Sequence, residues 1–586
     1  MAIQLSPGVV VEEYDLTTVV PSVSTSTGAY AGTFMWGPAN VIVPIDSENT
    51  LVTIFGSPTN TNYLDFFTCS NFLAYATDLR VVRTANSGTL NADSNTSGQN
   101  IQIANEDIFN IQWLHGGAGN AYGPFTARYP GALGNSIQVD VFDSSNTALY
   151  ANATFTTGGI TRNWSGVISG TPGTSTYVSN AGGTNDEFHV IVSDNGGLIT
   201  GTKGTILETY PYTSKAYDAV DGNGITTYYK NVILNNSQYV YAMDPVNYAN
   251  TNSTWGGVST TAFARAYSVT GATQISFSGG ADVASADNDL EFGYGLFAKP
   301  DTVDVSLILS GAHDNNLINY LYSNVVTPAG ATTGRMGDSI LFISPPYSAV
   351  VNQPNYEASN IQTWLNGLGI SSSYIVVDSG WKYMYDKYNN VYRYVPLNGD
   401  IAGLCAFTDE VRDPWYSPAG FNRGNIKNCI KLAYNPAKPD RDILYPMGVN
   451  PVVTFPGNGT ILYGDKTLQG KPSAFDRINV RRLFIVLEKS IALAAKYSLF
   501  EFNDSFTQAQ FISLVSPFLR QVQGRRGITD FRVVCDSTNN TPQVVDSNQF
   551  IGDIYIKPAR SINFIQLNFV AVGTGVDFTE VAGATS

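Results

Sequence analysis

Between residues 290 and 430, short continuous apolar runs alternate with stretches of helical periodicity. Val303-Asp-Val-Ser-Leu-Ile-Leu309, Ser339-Ile-Leu-Phe-Ile-Ser344 and Tyr374-Ile-Val-Val-Asp378 read as strands, and Asp314 to Val325 and Glu357 to Gly367 as helices. Strands that are apolar throughout and separated by helices argue for a parallel sheet covered on both faces. The same pattern opens the chain. Gly28-Ala-Tyr-Ala-Gly-Thr-Phe and Val41 to Ile45 predict strands, Ser47 caps a short helix ending near Phe55-Gly56, Asp65 to Thr77 is helical, and Asp78 to Arg83 returns as a strand. Residues 26–95 are therefore expected to form a small α/β domain, with 281–345 as its candidate completion.

Residues 96–280 differ in character. Gly, Ser, Thr and Asn dominate, and short alternating runs such as Ser136-Ile-Gln-Val-Asp-Val-Phe142 and Phe188-His-Val-Ile-Val192 predict an all-β, turn-rich insert. A second α/β domain is expected over 346–565. It carries a helix from Asn479 to Phe500, and another that begins at the capping box Thr507-x-x-Gln510 and stops at Gly524. Pro517 inside this second helix predicts a kink or a break. Strands are expected over Ile528 to Cys535, Ile551 to Ile556 and Ile562 to Val572. Residues 1–25 and 566–586 read as extended arms. The N-terminal one carries the β-prone run Val9-Val10-Val11-Glu12 and, at ~3.3 Å per residue, reaches roughly 65 Å. Such an arm has to pair with something outside itself.

Composition narrows the function. Charged residues make up only 13% of the chain, and the net charge is −15. That balance excludes a general nucleic-acid binder, which needs a basic face. The few charges leave a polar-neutral surface that is cheap to desolvate against copies of itself. No run approaches the ~18 apolar residues of a spanning helix, and Met-Ala-Ile-Gln-Leu-Ser-Pro-Gly lacks the features of a secretion signal, so no membrane insertion is expected. Cys69, Cys405, Cys429 and Cys535 include no C-x-x-C pair and are expected to be buried free thiols.

Little points to chemistry. The histidines His115, His189 and His313 are scattered, no G-x-S-x-G frames a serine, and no metal-ligand spacing occurs, so no catalytic, metal or cofactor site is expected. Gly293-Tyr-Gly295-Leu-Phe-Ala298 matches a dinucleotide fingerprint, but Lys299-Pro300 blocks the following helix. In Gly459-x-x-x-x-Gly464-Asp465-Lys466-Thr467 the inserted Asp465 breaks the P-loop spacing and sets a carboxylate where phosphates would sit. Both patterns are expected to be turns. Residues 470–560, by contrast, hold twelve basic and eight acidic residues in an acidic chain. Arg520, Arg525 and Arg526 cluster at a helix end, and with Arg481 and Arg482 they are the candidates for meeting an acidic partner.

Leu5-Ser-Pro-Gly-Val-Val-Val-Glu-Glu, Gly28-Ala-Tyr-Ala-Gly-Thr-Phe-Met-Trp-Gly-Pro38, Phe55-Gly-Ser-Pro58, Asn71-Phe-Leu-Ala-Tyr, Asp78-Leu-Arg-Val-Val-Arg83 and Tyr129-Pro-Gly-Ala-Leu-Gly-Asn135 together resemble the contractile phage tail sheath proteins of T-even-like myoviruses. So do Gly464-Asp-Lys-Thr-Leu468, Ile478-Asn-Val-Arg-Arg-Leu483 and Gly573-Thr-Gly-Val-Asp-Phe-Thr-Glu580. The resemblance implies a structural subunit of the virion tail, assembled in the host cytoplasm. It would stack as hexameric rings around a tail tube and contract to drive that tube through the host envelope. It implies an inner C-terminal α/β domain facing the tube and an outward-facing insert. The terminal strands, around Val9–Glu12 and Phe569, Val570, Ala571 and Val572, would be exchanged between neighbours. Expected partners are other copies of the chain, the tube protein, and baseplate and tail terminator proteins. The alternatives from the sequence are the sheath of a tailocin or secretion system and an α/β hydrolase.

Overall fold

The computed structural model describes residues 24–94, 101–113, 123–243, 259–260, 263–264, 267, 271–563 and 565–566. The chain forms two compact units. The larger comprises Pro21–Pro414 and Pro418–Leu493; the smaller contains Trp415–Ser417 and the chain from Ala494 onward.

The larger unit is organised by a seven-stranded sheet of β1 (Gly28–Gly32), β2 (Ile42–Ile45), β3 (Leu79–Arg83), β4 (Leu307–Leu309), β5 (Ile340–Ile343), β6 (Ile375–Asp378) and β7 (Val449–Asn450). Its order is β2-β3-β1-β4-β5-β6-β7. All neighbours pair in parallel except β2, which runs antiparallel to β3. Pairing crosses the boundary expected at 345/346: Leu341 sits opposite Ile375 and Phe342 opposite Val376, so residues on either side belong to one sheet. The reason is burial. Every residue of β4, β5 and β6 is buried, and such strands are stable only beside one another under covering helices.

Those helices include α1 (Tyr63–Leu73), α2 (Asp287–Gly295) and α3 (Asn398–Val411). A Cβ on Gly28 of β1 would meet Phe72 of α1, and one on Gly293 of α2 would meet Thr84 at 2.6 Å and Ala31 at 3.1 Å. Gly28 and Ala31 lie on opposite faces of β1, so α1 and α2 cover opposite sides of the sheet. The glycine pattern expected as a turn at 293–298 is in part the end of α2, where Gly293 permits a close helix-to-sheet approach.

Helix α3 has no counterpart in the sequence reading. Gly399 and Gly403 weaken its helical signal, and both are demanded by packing. A Cβ at Gly399 would lie 2.4 Å from the Thr68 carbonyl oxygen of α1, and one at Gly403 would lie 2.6 Å from the Tyr75 ring.

The insert is built on a four-stranded antiparallel sheet in the order Gly271–Ser276, Ile137–Asp143, Glu187–Asp194, Thr205–Ser214. Val139, Val141, Val190 and Val192 face one cluster, while Phe142 and Ile191 face another around Trp164. Short helices such as Thr147–Asn152 and Tyr229–Asn236 qualify the all-β expectation. The two ends of the insert run side by side, with antiparallel bridges joining Leu90 to Ala281 and Asp93 to Ser278. Arg83, at the end of β3, is buried; it donates to the carbonyls of Phe34 (2.9 Å), Gly37 (2.8 Å) and Pro130 (2.6 Å), tying the insert to the sheet.

Helix α4 (Ile478–Ala495) begins in the larger unit, and α5 (Ser505–Gly524) lies in the smaller. The N-cap of α5 is Asp504, whose carboxylate accepts from Thr507 N at 2.9 Å; the expected capping box starting at Thr507 is not the cap. An anionic cap also complements the positive end of the helix. The helix runs unbroken through Pro517, which is exposed. A hairpin of Ile528–Val534 and Asp553–Pro558 follows.

Replacing Gly399 by Ala should cost about 1–3 kcal/mol of stability through overpacking. Gly367→Ala should add roughly 0.5–1 kcal/mol, because this glycine is helical and a Cβ there meets nothing within 4 Å. Urea denaturation of the isolated subunit measures both.

Candidate assembly surfaces

In the smaller unit, the last turn of α5 brings together the expected basic cluster. Arg520, Arg525 and Arg526 are all exposed. The stop is not at Gly524, which is still helical. Arg525 is the C-cap and Arg526 takes the left-handed conformation (φ +68°). Gly527 then packs against Trp415, whose indole N–H donates to the Arg525 carbonyl at 3.1 Å. At the other end of the helix, Tyr497, Leu499, Phe500, Phe502 and Phe506 are each more than 60% exposed. Aromatic groups bury roughly 150–250 Å² each, so this cluster has the size of a protein-contact surface. Among the described residues, neither strand of the 528–558 hairpin pairs with a third strand.

Arg481 and Arg482, expected on the same partner-facing surface, lie in the interior of the larger unit at 5% and 2% exposure. The Arg481 guanidinium is stacked between the rings of Tyr374 (4.2 Å) and Phe475 (3.9 Å) and donates to Ser373 and Tyr374. Arg482 pairs with Asp409 at 2.5 Å and donates to the Cys405 carbonyl at 3.0 Å. Counting charge along the sequence misplaced them, because α4 is apolar around most of its circumference: Val480, Leu483, Ile485, Val486 and Leu487 are all buried. The arm residues Val9, Val10, Val11, Glu12, Phe569, Val570, Ala571 and Val572 lie outside the described residues.

Three family models match the chain. The phage tail sheath C-terminal domain matches residues 470–571, the phage tail sheath protein central domain matches 299–468, and the N-terminal region of tail sheath protein Gp18 domain III matches 25–84. The chain is 34% identical to the tail sheath protein of Vibrio phage KVP40, over 99% of this chain and 100% of that one. It is 33% identical to the tail sheath protein of Enterobacteria phage T4, over 99% of each. The chain belongs to the phage tail sheath proteins. The crystal structure of the sheath tail protein Lin1278 from Listeria innocua shares its fold, with a TM-score of 0.51 at 12% identity over 92% of this chain and 96% of that one. Sheath proteins are structural components of the virion tail, not enzymes.

In this sheath protein the matched segments 25–84 and 299–468 supply the strands of the large sheet and bracket the insert. Parallel doubly wound sheets usually bind ligands beyond the carboxyl ends of their strands. Here those ends are tied to the chain itself. Ser344, after β5, accepts from Asn398 N (3.0 Å) and Nδ2 (2.9 Å) and donates to Asp378 (2.6 Å). Asn398 also pairs with both backbone groups of Gly311, after β4. Tyr30 donates to Asp65 beside His313, and the fully buried Lys382 and Asp400 pair at 2.8 Å. His189 is likewise internal. Its Nδ1 accepts from Tyr212 N, which leaves Nε2 to donate to the Gly170 carbonyl, and burial lowers its pKa. The pattern at 459–467, expected as a turn, opens instead with a strand, Gly459–Leu462, paired with Val452–Phe455, and Asp465 is buried against Arg477 at 3.1 Å and Tyr445.

Burial pushes the Asp378 carboxyl up to about 8; the Ser344 and Gly380 hydrogen bonds oppose this, and nearby Asp400 adds to it. A folded-state pKa above the unfolded value means that the native protein holds a proton the unfolded chain has released. Stability contributed here is intact below about pH 4 and is lost as pH rises toward 8. Asp378→Asn should therefore gain on the wild type progressively between pH 5 and 8 in urea titrations. A constant difference across that range would clear Asp378 of the effect.

Proposed function

We propose that this subunit polymerises as stacked hexameric rings around a tail tube, and that the resulting sheath contracts to drive the tube through the host envelope. The observation that carries this reading is the match to phage tail sheath proteins over 99% of the chain. Assembly would take place in the host cytoplasm, with baseplate and tail terminator proteins at the two ends of the polymer.

Rings stacked with an axial rise need heterologous contacts, so each copy must present at least two unlike surfaces. The smaller unit offers a basic helix end, an exposed aromatic cluster and a hairpin without a third strand, which supports a role in contact with other molecules. In this reading the Arg520, Arg525 and Arg526 surface meets an acidic tube, where charge complementarity sets register and encounter rate. Residues 1–20 and 566–586 add strands to neighbouring subunits, so that the lattice stays connected while rigid units change their packing.

Deleting residues 1–20 should leave a folded subunit that cannot form tubes. Electron microscopy that shows long tubes from the truncated protein would remove the lacing role. Reversing Arg520, Arg525 and Arg526 to Glu should abolish assembly on purified tail tubes while sparing self-assembly; unchanged loading of tubes in a sedimentation assay would assign that surface to another partner.

A further inference from the structure

Three residues ahead of β1, the chain passes through a buried polar junction. The Thr25 hydroxyl donates to Asp409 Oδ2 at 2.7 Å. The same oxygen accepts from Arg482 Nη2 at 2.5 Å, and that nitrogen also reaches the Thr25 carbonyl at 3.4 Å. The other terminal nitrogen of Arg482 bonds the Cys405 carbonyl of α3. Thr25 and Arg482 are 6% and 2% exposed. On either side of it, the Thr27 hydroxyl donates to Asp78 Oδ2 at 2.7 Å, Ser306 Oγ reaches the Ser24 carbonyl at 3.4 Å, and the Thr27 carbonyl accepts from the Ser306 and Leu307 amides. Lys489, seven residues after Arg482 on α4 and so on the same face, holds Ser306 through its hydroxyl at 2.8 Å.

We infer that Thr25, Asp409 and Arg482 form a clamp at the root of the N-terminal segment, through which tension on residues 1–20 is passed to α3 and α4. The inference rests on the reading that those residues reach a neighbouring subunit. Parallel β pairing alone would let a pulled segment detach one hydrogen bond at a time. The Thr25 hydroxyl adds to that pairing a bond to a carboxylate already held by a guanidinium, and charge-assisted bonds of this kind are about twice as strong as neutral ones. The clamp also explains the burial of Arg482: its role is to hold an arm from within, not to meet a partner.

The test compares T25V, which keeps the branched shape but loses the hydroxyl, with T25S, which keeps the hydroxyl. In the isolated subunit, T25V should raise amide exchange of residues 24–28 by more than about tenfold, the loss of one hydrogen bond to a charged group, with exchange in α3 and α4 unchanged. Assembled T25V sheaths should dissociate at lower denaturant than wild type, and T25S should match wild type in both assays. Unchanged exchange at 24–28 overturns the clamp. Faster exchange with unchanged sheath dissociation overturns its role in passing tension. If the 1–20 deletion also forms normal tubes, the lacing reading fails instead, and the two failures are thereby told apart.

Discussion

Buried guanidinium groups bond backbone carbonyls throughout the interior of the larger unit. A parallel sheet covered on both faces leaves the loops at its edges remote from water, and their carbonyls must find donors inside the protein. Arg83 serves three carbonyls from two loops, and Arg335 serves those of Phe297 and Val303 while paired with Asp338. Arg128 does the same for Leu234 and Ser237, and Arg482 for Cys405 and Thr25. A planar fork with five donors suits this task better than an ammonium group. The chain has few charges, and a share of its cations is committed to its own interior.

That allocation explains where the sequence was legible and where it misled. Continuous apolar runs such as Ile340–Ile343 and Ile375–Asp378 announce buried parallel strands, and the structure pairs them with each other. Ser47 and Asp314 announce helix starts, and both accept from amides in the first turn. Arg481 and Arg482 look like surface charge only when counted apart from their neighbours; flanked by Val480 and Leu483, both buried, they share the fate of the apolar positions. Helix α3 was hidden because Gly399 and Gly403 answer to contacts with Thr68 and Tyr75, residues more than three hundred positions away. Pattern rules see local propensity, and these positions are decided by what approaches from elsewhere.

In the proposed assembly, the two units divide the labour between rigidity and contact. The larger one turns polar side chains inward, as at Ser344, Asp378 and Asn398, and so gains a single defined packing. The smaller one displays a cluster of large apolar side chains and cations on one helix and its approach. A polymer subunit needs both properties: a body that transmits force without yielding, and a surface that gains free energy only when a neighbour arrives.

The side-by-side ends of the insert carry an evolutionary corollary. Leu90 and Ala281 sit across a bridge from each other, so the polypeptide leaves the sheet and returns to it within about one interstrand spacing, ~4.8 Å. Between them, Pro130 is held by Arg83 and Ala104 by Ala39, so it is the part of the insert beyond these ties that can lengthen, shorten or be traded for another module without moving a strand of the parent sheet. Diversification of this kind of molecule can therefore proceed as cassette exchange beyond those ties, with the mechanical framework left untouched.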